Sequence, residues 1–387
     1  MPSTSPGLKI ATLRGVPVYI GRSWPIIALV IVALFGPQVA RLHPEWGASA
    51  YLLAAAYAVL LLVSVLAHEA AHAVVGQACG YRVNRIVADL WGGHTAYDSP
   101  DATPGHSALV AVVGPLTNLV LAGAGWFALT QSSGDGAGHL LLLAFTFSNG
   151  FVGLFNLLPG LPLDGGFIVD ALVWKVTGSR AKGMKAAGWC GRIVAVAVVL
   201  WALVPVLRGE GSTWNLMWFA LIAMFLWRGA STAVTVGTNR EFLSGIRVAQ
   251  VMRPAVSAAA DTPVSALPEG PDPVVLLGAS NEPVAVVPPG AHVRVPLEQR
   301  DRVPASAIAE AIVSGATAIV ADTQADITAV LPGFEGDTTP QLVVVTQPAP
   351  AAAPPHGEQV IGVVLLSDLE RALQAHAGAQ GRDLRTT

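Results

Sequence analysis

The sequence predicts an α-helical polytopic membrane bundle of about six transmembrane helices, followed by a C-terminal cytoplasmic α/β domain. Three observations carry that fold class. The 387 residues are 53% hydrophobic and only 12% charged, with a mean hydropathy of +0.56, where soluble chains carry about 25% charge. Apolar runs of about 20 residues, the length that crosses a bilayer, recur between residues 24 and 236. From about Ser244 the composition turns to Pro, Ala, Val and Asp with short β-branched runs. The net charge of -3 supplies no basic field, so nucleic acid is excluded as a partner. Two cysteines, Cys79 and Cys190, exclude a disulfide framework. Both are expected near helix ends on the inner side, where thiols stay reduced.

Taken in order, the chain starts polar and reaches PVYIG, with Lys9, Arg14 and Arg22 ahead of the first span. Trp24 and Pro25 open that span, WPIIALVIVALFGPQVA. No small-residue cleavage site follows it, so it is expected to be retained, with Trp24 as an interfacial anchor. The loop RLHPEWG leads to a second span, in which Ala48 to Ala67 carries no charge. CGYRVNRIVADLWGGHTAYDSPDA is too polar to cross and rich in β-branched residues and Gly. It predicts a strand or hairpin against the bundle, with Gly92 and Gly93 at a turn. Further spans are expected at about Ser107–Leu129, His139–Leu158, Cys190–Leu207 and Trp214–Val236. A shorter apolar helix after Asp164 ends in the basic stretch Lys175, Arg180, Lys182 and Lys185.

Lys and Arg set the orientation. They gather in the N-terminal arm, the hairpin, residues 175–192 and the tail, while the opposite loops carry only Arg41 and Arg208. The positive-inside rule then puts both termini in the cytoplasm. In the tail, PVVLLG, PVAVVP, ATAIVAD, QLVVVT and VIGVVLLSD read as strands, and SAIAEAIVSG and LSDLERALQAH as helix-like pieces. PAPAAAPPHG, from Pro348 to Gly357, is expected to be a flexible insertion. The expected domains are residues 1–240 in the membrane, 244–376 in the cytoplasm and a disordered 377–387.

The chemistry concentrates in Leu61 to Gly76, LLVSVLAHEAAHAVVG. On a helix, positions i and i+4 share a face, so His68 and His72 can point at one ion. Glu69, beside the first imidazole, is then placed to take a proton from an attacking water. Ionisable groups at the end of an apolar run are costly in lipid and mark function. The second span runs inward from about Ala48, which sets His68 roughly 30 Å along it, toward the cytoplasmic half. Two His need a third protein ligand and one open position. NLLPGLPLDGG at the end of the fourth span offers Asp164, where Pro159 and Pro162 break the helix. Broken backbone at membrane depth is tolerated where it is buried or lines a wet cavity. Asp170 is not expected among the ligands.

These two segments resemble the site-2 protease family, intramembrane zinc metalloproteases of peptidase family M50. The family pairs HExxH on one transmembrane helix with an N-x-x-P-x-x-P-x-D-G type segment on a later one. Here they stand as His68-Glu69-Ala70-Ala71-His72 and Asn156 to Gly165. The resemblance covers roughly Gly15 to Val236 and extends to GPLTN, with Gly114, Pro115 and Asn118. It implies a zinc endopeptidase with one Zn²⁺ on His68, His72 and Asp164, and with Glu69 as general base. It further implies substrate positioning by Asn156 and Asn118, for which an interhelical hydrogen bond is the alternative. The implied substrate is a transmembrane protein, unwound locally and held by strand addition at the hairpin around Val83 to Thr95.

The tail resembles a pair of CBS domains. Arg247 to Leu267 is similar to the opening of a first repeat, and Val360 to Leu373 to the close of a second. The resemblance implies dimerisation through the pair and an adenine nucleotide contacted by Asp368. Leu365 replaces the usual hydroxyl residue, and no matching Asp follows PVAVV, so weak nucleotide binding and a purely structural pair both stay open. Two rivals of other classes are a CBS-regulated ion channel or transporter and an inactive metal-binding scaffold.

Overall fold

The computed structural model describes residues 7–89, 92–98, 102–132, 134, 136–210, 212–313, 315–320, 322–334, 340–348 and 358–379. It divides into two compact units, Pro2–Thr238 and Asn239–Thr387. Among the described residues, six helices are long and apolar enough to cross a membrane. They are α1 (Trp24–Leu42), α2 (Ser49–Ala78), α3 (Pro104–Gln131), α4 (Ala137–Asn156), α6 (Arg180–Leu207) and α7 (Thr213–Leu243). The shorter α5 (Asp164–Thr177) sits between α4 and α6.

Most of these helices bury small residues on their packed faces and turn large ones outward. Ala50, Ala54 and Ala58 of α2 are buried, while Leu52, Val59 and Val63 are exposed. That inversion suits lipid, where helices associate by close backbone approach. It is sharpest where the PGLP break meets α6. A Cβ on Gly160 would lie 2.5 Å from the Gly191 Cα, and the Leu161 N–H donates to the Ala187 carbonyl at 3.1 Å. Two glycines thus let the broken segment press flat against α6.

Cys190 does not lie near a helix end. The helix α6 begins ten residues earlier than the apolar run suggests, because Ser179 caps it by accepting from the Lys182 N–H at 3.4 Å. Arg180, Lys182 and Lys185 of the basic stretch therefore stand in the first turns of α6, while Lys175 lies in the last turn of α5. Only Gly178, in the left-handed region at φ 71°, and Ser179 separate it from α5.

The predicted hairpin forms as β3 (Arg82–Asp89) and β4 (Gly92–Asp98), with its tip at residues 90–91 outside the described residues. Sequence reasoning missed its partners, β1 (Gly7–Leu13) and β2 (Val16–Gly21). The four make one sheet in the order β1-β2-β3-β4, with β2 parallel to β3. Val16, Val18 and Ile86 pack with Ala73 of α2 in one cluster. The sheet thereby lies on the helix that carries the HExxH motif, with β4 at its edge.

The tail is built from α8 (Val248–Val251), β5 (Met252–Pro254), β6 (Val256–Ala259), β7 (Val274–Leu277), β8 (Pro283–Val287), β9 (Glu310–Ala311), β10 (Thr317–Ile319), β11 (Leu342–Pro348), β12 (Glu358–Leu365) and α9 (Leu366–Ala379). They form two sheets, β6-β7-β8-β9 and β10-β11-β12-β5, with the same pattern of one parallel and two antiparallel pairings. Each half lends its first strand to the other: β9 closes the first sheet and β5 the second. The faces meet through Val275, Val286, Val344, Val360 and Val363. Alternation along β11 then sends Val343 and Val345 into a separate core with Leu369 of α9.

SAIAEAIVSG is not a helix. Its first part is a 3-10 turn at Ala305–Ile308 and its next is β9, where Ala311 pairs with Ala285. The edge of the first sheet overrides the helical propensity of Ala309, Glu310 and Ala311. Helix α9 continues to Ala379, past the expected domain end, and the flexible insertion and the tail beyond 379 lie outside the described residues apart from Pro348.

Candidate active site

The helix α2 carries His68, Glu69 and His72 on successive turns, all three buried. Opposite them, Asp164 opens α5, delivered by the break that α6 pins. The His68 Nε2 lies 3.0 Å from the His72 Nε2 and 3.1 Å from an Asp164 carboxylate oxygen, and His72 Nε2 lies 3.5 Å from the other oxygen. These three residues form a candidate metal cluster among the described residues, their ligand atoms within 4.8 Å of one another.

The other ring nitrogens settle what Nε2 can do. The His72 Nδ1–H donates to the Val110 carbonyl of α3 at 2.6 Å. His68 Nδ1 faces the Asn118 Oδ1 at 2.6 Å, and the direction of that bond is fixed from a distance. Asn149 of α4 donates to the Phe145 carbonyl at 2.9 Å, and a carbonyl can only accept. Its amide oxygen therefore accepts from the Asn118 Nδ2 at 2.8 Å, which leaves the Asn118 Oδ1 as an acceptor for the His68 Nδ1–H. Asn149 also donates to the Ser64 hydroxyl at 3.0 Å, and Ser64 donates to the Leu60 carbonyl at 3.0 Å.

Both imidazoles thus hold their proton on Nδ1 and present a lone pair on Nε2. Two lone pairs and a carboxylate converging within 3.5 Å repel one another unless a cation sits among them. The spacing fits zinc: bonds of about 2.0–2.1 Å in a tetrahedron place neighbouring ligand atoms about 3.3 Å apart. Gly114 of α3 leaves the room. A Cβ there would lie 2.6 Å from the His68 Nε2 and closer still to the His72 Nε2. Within GPLTN, the Gly clears the ligand nitrogens and Asn118, one turn on, orients His68.

Asn149 is the site residue that sequence reasoning missed. Its one signal was an amide inside the apolar run of α4, two turns before Asn156. Asn156, half-buried at the end of α4, makes no side-chain hydrogen bond among the described residues. Asp170 is buried and paired with Arg180 at 3.8 Å, away from the cluster. In the other unit, Asp368 is held by Arg253, whose Nε and Nη2 donate to its two oxygens at 2.6 and 3.0 Å, and by Arg371. The hydrogen bonds from Arg253 hold that carboxyl below the usual carboxylate range.

Comparison with known proteins finds likeness in the membrane unit. The profile of peptidase family M50 matches residues 56–139 and 130–201, which hold both halves of the metal cluster. The chain is 32% identical over 219 residues to sll0528 of Synechocystis, named as a candidate zinc metalloprotease. It is 35% identical over 232 residues to Rip3 of Mycobacterium tuberculosis, which carries the same designation. These alignments take in 55% and 58% of this chain, and the chain spans 58% of the length of each relative. A site-2 protease of Methanocaldococcus jannaschii aligns in structure at 21% identity and a TM-score of 0.41, over 59% of this chain and 94% of its own. That likeness is too faint to carry weight. The membrane unit is thus similar over residues 56–201 to the profile of peptidase family M50, and the curated relatives it matches are named as zinc metalloproteases.

Proposed function

We propose that the chain is an intramembrane zinc endopeptidase that cleaves a transmembrane segment of another protein. The observation that carries this reading is the pair of imidazoles locked with Nε2 lone pairs toward Asp164, beside a buried Glu69. His68, His72 and Asp164 hold the metal. Zinc bound there supplies the Lewis acidity that acidifies water and polarises an amide carbonyl. Glu69 takes the proton from the attacking water and returns it to the leaving amine nitrogen. Asn118 and Asn149 keep His68 in its ligating tautomer. Asn156 has its amide free to meet the substrate backbone, and β4, at the sheet edge, offers its main chain to an unwound strand.

The positive-inside pattern puts both termini in the cytoplasm. The tail is a CBS-like pair, residues 244–376, which its repeated, strand-exchanged topology supports, and which dimerises the protein. It binds adenine nucleotide weakly at most, because Asp368 is already engaged by two guanidinium groups.

The test is Glu69→Gln in full-length protein. It keeps about one Zn²⁺ per chain and loses cleavage of a co-expressed transmembrane substrate by at least about 100-fold. Cleavage at the wild-type rate would remove Glu69 as the base. Zinc retained after Ala substitution of His68, His72 or Asp164 would remove the cluster as the metal site.

A further inference from the structure

Away from this site, two guanidinium groups stand at the same end of the uncharged runs of α6 and α7. The helices α6 and α7 run antiparallel, with Gly188 against Ala230 and Trp201 against Phe219. Residues 193–207 of α6 and 214–227 of α7 carry no charge. At 1.5 Å per residue these runs are about 22 and 21 Å long, against a hydrocarbon core of about 30 Å. Arg192 and Arg228 end the runs on the same side, so both fall within the thickness that the helices must cross. A charge at that depth needs a counter-charge or a path to water.

No carboxylate among the described residues pairs with either one within 4.0 Å. Arg192 is clamped instead. Its guanidinium lies 4.6 Å from the Trp189 ring and 5.4 Å from the Trp227 ring, and its Nε donates to the Ser231 hydroxyl at 3.3 Å. The clamp holds it beside Trp227 and stops it from stretching freely toward the surface. Arg228 is exposed and lines a cavity of about 380 Å³ with Trp227, Ser231 and Thr235. Guanidinium groups and hydroxyls beside exposed indoles combine what a phosphate and an adjoining acyl chain require.

We propose that Arg192 and Arg228 bind the phosphate headgroup of an anionic phospholipid in the groove along α7, Arg228 from its lining and Arg192 from α6 beside the shared Trp227 and Ser231. The guanidinium forks meet the phosphate oxygens, and the Trp189 and Trp227 faces lie along the glycerol end of the chains. The site uses no residue of the metal cluster.

Full-length protein in phosphatidylcholine nanodiscs doped with phosphatidylglycerol provides the test, read as retained lipid by native mass spectrometry. Wild-type protein keeps phosphatidylglycerol above its bulk share, and R192Q/R228Q lowers that enrichment about tenfold. R192K/R228K keeps part of it, since charge remains but the planar fork is lost. R208Q, at the far end of α6, leaves it unchanged. Zinc content reports whether each variant is folded. Millimolar inorganic phosphate does not displace the lipid; displacement would assign the groove to free phosphate. Equal enrichment in wild type and folded R192Q/R228Q, or none in wild type, overturns the proposal. If the glutamine variant does not fold, full wild-type enrichment in the lysine variant overturns the fork's role.

Discussion

The membrane unit and the tail treat polar groups in opposite ways. Among the described residues, Ser64, His68, Glu69, His72, Asn118, Thr146, Asn149 and Asp170 are buried in the first, and Thr346 alone in the second. In the first unit, Ser64, Asn149, Asn118 and His68 form one hydrogen-bonded chain that ends at the metal cluster. In the tail the charges pair with each other near the surface, as Arg247 with Asp326 and Arg253 with Asp368. A buried amide in lipid must find a partner, so each one constrains the next. A paired surface charge constrains little beyond its partner. Substitutions in the two units should therefore differ in reach as well as in size.

The largest effect is expected at Gly114. Gly114→Ala adds one methyl group, which in a helix interior ordinarily stabilises by about 1 kcal/mol. Here that methyl group would stand 2.6 Å from the His68 Nε2. Zinc content should fall below about one tenth of wild type while helicity by circular dichroism is unchanged. Full zinc in this variant would mean that the ligand nitrogens do not need that space.

Next comes Asn149→Leu, which fills similar volume but removes the anchor of the chain. Outer partners of ligating histidines typically contribute 10–100-fold to metal affinity. Zinc competition with a chelator should register a loss in that range, although the hydrogen bonds of Asn149 go to Asn118, Ser64 and Phe145 and not to the metal ligands. Asn156→Ala should leave affinity unchanged, since Asn156 has no side-chain hydrogen bond among the described residues. Equal losses in both would erase the distinction between the two amides. A loss at Asn156 alone would move the anchoring role to the end of α4.

What could be read in the sequence divides along the same line. His68, His72 and Asp164 stand out because ionisable residues are rare in apolar runs, and i, i+4 spacing on a helix is a local property. The polarity of the Asn149–Asn118–His68 chain is not local. It joins residues 31 and 50 positions apart across three helices, and depends on a helix register that no short window encodes. The sheet beneath α2 was hidden for the same reason: β2 pairs in parallel with β3 across more than sixty residues, Val18 opposite Ile86. In the tail, β-branched runs announced β7, β8, β10, β11 and β12. The Ala-rich β9 read as a helix, because its extended form comes from the edge it completes.

The smallest effect is expected from the ion pair of the tail. Arg253 holds the Asp368 carboxyl below its ordinary pKa. For a depressed acid, the stabilisation is present above the ordinary carboxylate value, about 4, and is lost as pH falls through the lower folded value. Arg253 is 43% exposed, so solvent screens the pair and its contribution should stay near 1 kcal/mol or less. Arg253→Met, which keeps the stem of the side chain but not its charge, should lower the melting temperature of the tail in full-length protein by a few degrees at pH 7. As pH falls below the ordinary carboxylate range the gap should narrow, since the acid becomes protonated in both proteins. The measurement is scanning fluorimetry across pH 2.5–7. A gap that persists at the lowest pH would assign the role of Arg253 to packing against β12. A drop of more than about 10 °C at pH 7 would show that a single surface pair holds the two strand-exchanged sheets together, and that the tail resembles the membrane unit in how far one polar contact reaches.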